Sequence, residues 1–196
     1  MQNIAFKIIK VILIVGALLG TTNAFANQKE PSELLSQSIK NTVKAGGKTS
    51  EVVSFLDGQF STIKPASWSI RQDLHDYADL QMGNLSKGAY CIVMSESKID
   101  YDDNYTLDDY SKLTSNFIIE NIPQPSVSAE NLVINGNSAI RTEIIGSVDG
   151  IKIRYWHISI DTKSHFHQLV LWSVPSYFEA NRADYEAVLN SFDYNF

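Results

Sequence analysis

Cysteine is nearly absent from the 196-residue chain: Cys91 stands alone, so no intramolecular disulfide can form. It lies in the apolar run AYCIVM, where a free cysteine serves as a small buried hydrophobe. A reactive thiol needs an exposed, electropositive setting, and nothing nearby supplies one. Positive charge is also scarce, with 16 basic residues against 22 acidic ones. That balance argues against nucleic acid, whose binding rests on cationic phosphate contacts, and against docking on anionic lipid. The one long apolar run, residues 11–19, falls short of the roughly 20 residues a membrane span needs. Sequence signatures of catalysis are missing too. There is no P-loop, no G-x-G-x-x-G and no H-E-x-x-H. The nearest approach to a nucleophile elbow, Gly136-Asn137-Ser138-Ala139-Ile140, ends in Ile where Gly is required and follows a hairpin turn. Paired acid–base carboxylates are fixed by distances in space, so sequence leaves them open.

What is present begins with MQNIAFKIIKVILIVGALLGTTNAFANQ. Lys7 and Lys10 precede the apolar run, and Ala24-Phe25-Ala26 gives a small-x-small cleavage site, the layout of a secretory signal peptide. Position 27 is Asn, which offers no acceptor for a lipoprotein anchor. The expected organisation is a signal peptide over residues 1–26, an N-terminal helix and linker over 27–50, and one domain over 51–196. The expected product is exported, periplasmic or extracellular, with no lipid anchor and no stable membrane span after cleavage. It carries 14 basic and 22 acidic residues.

Leu34, Leu35, Ile39 and Val43 fall near helical spacing before Gly46-Gly47. From Val52 onward strands dominate. Asn135-Gly136 and Asp149-Gly150 are hairpin dipeptides that supply positive φ angles. With the turn at residues 161–164 they predict a four-stranded antiparallel meander over residues 129–174. Earlier strands are expected over 58–64, 78–83 and 89–98. Two helices are expected. Residues 106–121 have Thr106 as N-cap and Leu107, Tyr110, Leu113, Phe117 and Ile118 on one side. Residues 176–191 open with the capping-box pattern Ser176-x-x-Glu179. In HFHQLVLW, Phe166, Val170 and Trp172 alternate with Leu169 and Leu171, so both strand faces are apolar and both need cover. The expected class is therefore α+β: a three-layer α/β/α sandwich with a mostly antiparallel central sheet flanked by helices. Trp68, Trp156 and Trp172 are expected in its core.

Several short pieces recur in a known order. They are Phe60-Ser61 with Pro65 and Trp68; Ser95-Glu96-Ser97-Lys98; Leu107 with Asp109-Tyr110; and Ile134-Asn135-Gly136 with Ala139. They continue through Val148-Asp149-Gly150-Ile151-Lys152-Ile153, His165-Phe166 with Trp172, and Asn190-Ser191-Phe192. Through these the chain, over residues 57–192, resembles the bacterial secreted and lipoprotein relatives of the photosystem PsbP family, which share a fold with the Ran-binding Mog protein. The resemblance implies the PsbP/Mog-like sheet and, since the wider family acts mostly by binding proteins, a non-enzymatic role. The chain departs from it in lacking the lipoprotein cysteine and any specific sign of a photosystem partner.

Three constellations bear on function. DYDDNYTLDDY, residues 100–110, matches the start of a calcium loop at Asp100, Asp102 and Asn104. Tyr105 stands where Gly is required and Ser111 where the bidentate Glu belongs. A solvated turn leading into a helix accounts for the aspartates, with Asp108 and Asp109 opposing the helix dipole. Tyr101, Asp102, Asp103 and Tyr105 are the candidates for a partner-docking patch, because amphipathic aromatics favour interfaces. His157, His165 and His167 form the second constellation. With Ile160 opposite His165, His165 and His167 share one face and His157 takes the other. Two ligands fall short of a zinc site unless His75 or another group joins them. No cofactor and no metal is expected. The leading function is an exported non-enzymatic domain that binds a protein partner or supports an envelope assembly. The alternative is a small-ligand-binding protein or hydrolase with a pocket between sheet and helix.

Overall fold

The structure is a computed structural model that describes residues 42–45 and 48–194. The signal-peptide reading, with Ala24 and Ala26, lies outside the described residues, as does most of the N-terminal helix reading. Where that helix reading reaches described residues it fails, because Thr42–Ala45 is strand β1.

Two antiparallel sheets form the domain. The smaller has β1, β2 (Lys48–Phe55), β3 (Phe60–Lys64) and β11 (Asp193–Tyr194) in the order β1-β2-β3-β11. The larger holds β4 (Ser69–Ile70), β5 (Leu80–Asn84), β6 (Ala89–Ser97), β7 (Ser126–Ile134), β8 (Asn137–Val148), β9 (Ile151–Asp161) and β10 (His165–Ser173). Its order is β4-β5-β6-β10-β9-β8-β7. The expected meander is there as β7-β8-β9-β10. Its two hairpin turns close at Asn135 (φ 46°) and Gly136 (φ 82°), and at Asp149 (φ 49°) and Gly150 (φ 80°), as two-residue hairpin loops demand.

The three-layer helix-flanked sandwich is not what these elements build. Helix α1 (Leu107–Ile119) lies on one face of the large sheet, with Ile118, Ile144, Ile153 and Val170 in that core. The opposite face is shared by helix α2 (Pro175–Asn190) and the small sheet, which together bury Phe60, Trp156, Phe178, Tyr185 and Phe192. A second sheet thus takes the place of a helical layer. The cause is a tight turn at Leu56 (φ 49°), Asp57 (φ 52°) and Gly58 (φ 84°) that folds β2 back onto β3. The chain's last strand then joins β3, where the Thr62 hydroxyl donates to the Val188 carbonyl at 2.7 Å. All three tryptophans are buried as expected.

The helices differ in their caps. Thr106 forms a true capping box. Its hydroxyl accepts from the Asp109 amide at 3.2 Å and the Asp109 carboxylate accepts from the Thr106 amide at 3.0 Å. The capping box expected at Ser176 does not form. Val174 is the N-cap and Pro175 the first helical residue, pre-set by its fixed φ. Glu179 is drawn instead to Arg154 and Arg182. The buried side of α1 is also rotated from the expected stripe. It buries Tyr110, Ser111, Thr114, Ser115 and Ile118, while Leu113 is exposed.

Candidate functional site

The loop between β6 and α1 holds the docking candidates, and its frame starts inside the sheet. Glu96 is a buried carboxylate near the end of β6. A single 3₁₀ turn, Lys98–Asp100, follows, with its start fixed by the Lys98 amide donating to the Ser164 carbonyl at 2.9 Å. Tyr101 then turns inward and its hydroxyl donates to Glu96. Its ring stacks on Tyr105 at 4.7 Å and meets Phe166 edge-on at 5.5 Å. Tyr110 stacks on Phe166 at 4.8 Å and meets Tyr101 edge-on at 5.9 Å, and Lys98 lies over the Phe166 ring at 4.8 Å while pairing with Asp161. Burial and the adjacent Glu96 hold the Tyr101 phenol well above its usual range.

This geometry divides the four docking candidates. Asp102 and Asp103 are exposed, whereas Tyr101 and Tyr105 are half-buried struts of the loop. What the frame presents to solvent is a residue that sequence reasoning missed. Ile99, at the crest of the 3₁₀ turn, is 93% exposed. No periodic signal marks it, because its exposure depends on the turn. Asp100, Asp102 and Asp103, all exposed, follow it in the chain. Ile99 is thus an exposed apolar tip on an aromatic base.

The histidines sit as the alternation argument places them, although the hairpin register is shifted by two residues. His167 faces Ile160 and His157 faces Val170. A two-residue shift preserves the faces. His165 and His167 share a face, with rings 5.8 Å apart. Both His167 nitrogens are engaged, Nδ1 with the Ser95 hydroxyl at 2.8 Å and Nε2 with the Thr162 hydroxyl at 3.1 Å. Its ring packs on Phe60 at 4.3 Å, and burial drives its pKa down to about 3. His157 lies on the α1 face with Nε2 3.4 Å from the Gln168 Oε1 oxygen, its pKa lowered by burial to about 4. Among the described residues no three His, Cys, Asp or Glu side chains gather as a metal site. Beside His157, Ser159 pairs across the strands with Gln168, and the buried Tyr110 hydroxyl lies by the same amide, outside direct hydrogen-bonding geometry. Cys91 is buried, and burial pushes its thiol up, away from the reactive thiolate.

A cleft of about 470 Å³ lies between the two sheets, where the alternative reading expects one between sheet and helix. Val53 and Ser54 of β2 form one wall, and Ile70, Arg71, Leu80 and Gln81 the other. Arg71 is already held by Asp73, with Nε donating to Oδ1 at 2.8 Å. Gln81 is spent on the backbone of Leu74 and His75.

No protein-family model matches the chain, and no curated protein matches it. Solved structures do. The solution structure of a cyanobacterial PsbP, CyanoP of Synechocystis, superposes with a TM-score of 0.56 at 14% identity, over 78% of this chain and 98% of that one. LpqN, described as involved in cell envelope biogenesis of Mycobacterium tuberculosis, gives 0.56 at 10% identity, over 73% and 88%. A Bacteroides thetaiotaomicron structure gives 0.52 at 12% identity, where this chain spans 46% of the longer protein. The fold is therefore PsbP-like, as the short recurring pieces in the sequence imply.

Proposed function

We propose that this chain is an exported, non-catalytic domain that binds a protein partner through the crest of the loop at residues 98–106. The observation that carries the reading is Ile99, 93% exposed beside a loop of exposed aspartates whose aromatic base is packed on Phe166. Isolated exposed apolar residues are common on proteins, so the preordered base is what separates this one from the ordinary surface. The complementary surface is an apolar pocket with a basic rim, and the acidic balance of the chain favours such a partner electrostatically. Likeness to CyanoP and to an envelope-biogenesis protein supports a non-catalytic envelope role, by analogy of fold. Export, to a periplasmic or extracellular destination, rests on the signal-peptide pattern.

The test is crosslinking in the native compartment with the unaltered chain and with an I99D/D102K/D103K variant, followed by mass spectrometry. The reading expects a specific adduct that disappears in the variant while the variant's melting temperature stays unchanged. An identical adduct pattern from both chains would remove this loop from the interface.

A second reading rests on the cleft between the sheets, whose volume suits a small molecule with apolar and polar parts. A small-ligand library screened by thermal shift, with Leu80→Trp to fill the cleft, distinguishes it. Ligand-induced stabilisation lost in that variant supports the cleft as a binding site.

A further inference from the structure

The edges of the two sheets are managed unequally. β4 and β11 have two residues each and β1 has four, so each exposes little backbone. β7 has nine residues, pairs among the described residues only with β8, and keeps an unbroken register from Ser126↔Ile145 to Ile134↔Asn137. The covering layers reach only its C-terminal end, where Ile134 is buried in the α2-side core and Leu132 packs against it, and eight of its nine side chains are exposed or half-exposed. A long, regular edge invites pairing with another strand, and proteins usually blunt such edges with lysine, proline or a bulge. Here the strand SVSAENLVI has no lysine, no proline and no bulge. Its one charge, Glu130, is turned back onto β8, where Arg141 donates to it through Nε at 2.8 Å and lies over the Trp156 ring at 4.3 Å.

We infer that β7 pairs antiparallel with β7 of a second copy of this chain, joining two seven-stranded sheets into one. The register follows from the hairpin. In a two-residue turn the closing pair, Ile134 and Asn137, is hydrogen-bonded, and hydrogen-bonded pairs alternate from there. The backbone groups of Ile134 and every second residue back to Ser126 are therefore spent on β8. Those of Val127, Ala129, Asn131 and Val133 point outward. Full two-fold overlap of the strand on itself sets Glu130 opposite its own copy. It brings the outward groups into two sets of facing pairs, Val127 with Val133 and Ala129 with Asn131, each occurring twice. The side chains agree with the backbone. Val133, 74% exposed, meets Val127, 44% exposed, on the α1 face on both sides of the axis. The two Glu130 carboxylates on the other face are each neutralised by their own Arg141. This fit of the strand to itself selects a second copy over an unrelated extended peptide, and a closed two-fold contact uses up the edge. The inference stands apart from the Ile99 loop, which lies elsewhere on the domain.

Sedimentation velocity of the purified chain across a dilution series, with two variants, tests it. Asn131→Pro removes an outward N–H that β8 does not use, and Val133→Lys places a charge on the apolar contact. The unaltered chain should sediment as a dimer at about 100 μM. Each variant should need at least about tenfold higher concentration to dimerise, with an unchanged melting temperature. A chain that stays monomeric throughout, as it would if its own N-terminal segment or a different protein covered the edge, overturns the inference. So does a dimer whose affinity is the same in Val133→Lys, which alters no backbone and keeps the test valid if the proline variant does not fold.

Discussion

The hydroxyl of Tyr101 donates to the carboxylate of Glu96, tying the loop before α1 to a buried strand end five residues earlier in the chain. Tyr101→Phe keeps the ring contacts with Tyr105 and Phe166 and removes this bond alone. A hydrogen bond to a buried charged group is worth about 1.5–3 kcal/mol, so urea denaturation should show a loss in that range. A loss below about 0.5 kcal/mol would mean that ring packing alone holds the loop.

The buried histidines predict acid sensitivity with a definite sign. His157 and His167 have folded pKa values lowered by burial to about 4 and about 3. The unfolded values are about 6.5. The unfolded chain therefore binds more protons below neutrality, and stability falls as pH drops from about 6.5 toward the folded values. The combined loss by pH 4 is on the order of several kcal/mol. Urea midpoints measured at intervals from pH 7 to pH 4 should decline steadily. The decline should be shallower in His157→Gln, although that variant starts from a lower stability at pH 7. An equal slope in both chains would mean that His157 does not stay neutral in the fold.

Some of this architecture is legible in the residues and some is not, for physical reasons. Asn135-Gly136 and Asp149-Gly150 announce their hairpins because few other dipeptides tolerate positive φ at both positions. Thr106 announces its helix because its hydroxyl has one obvious use there. Of the small sheet, the strand over residues 58–64 is legible and its pairing is not. Its turn puts Leu56 at φ 49°, a conformation that leucine gives no hint of adopting. That turn, more than any misread periodicity, is why a second sheet replaces the expected helical layer. Ser176 and Glu179 have the right spacing for a capping box, yet Pro175 already starts the helix and Arg154 reaches Glu179 from β9. Local pattern loses there to a long-range ion pair. The docking tyrosines show the same limit, since amphipathic rings serve equally well facing out or in, and these face in.

Thr106 offers a clean measurement of a local rule. Thr106→Ala deletes the hydroxyl that accepts from the Asp109 amide and should lower stability by about 1 kcal/mol. Thr106→Ser keeps the oxygen and should restore nearly all of it. Equal stability of the alanine and serine variants would show that the cap contributes nothing here.

Gly83 permits a close approach that no other residue would. It faces Tyr90 across β5 and β6, and a Cβ built on it would lie 2.6 Å from the Ala89 carbonyl oxygen and 3.2 Å from the Tyr90 ring. That ring lies parallel to Trp172, 5.4 Å away, and belongs to the α1-side core. The obstruction is backbone, so it has no flexible end to swing aside. Gly83→Ala should therefore cost about 1–3 kcal/mol, as overpacking in a tight interior does. Gly146→Ala meets a closer obstacle, Cγ2 of the buried Ile122 at 2.1 Å, which sits on a stiff β-branched side chain. Both variants should therefore show a lower urea midpoint than the unaltered chain. An unchanged midpoint in Gly83→Ala would mean that the β5–β6 ladder yields, and that the Tyr90–Trp172 pair does not depend on a glycine beneath it.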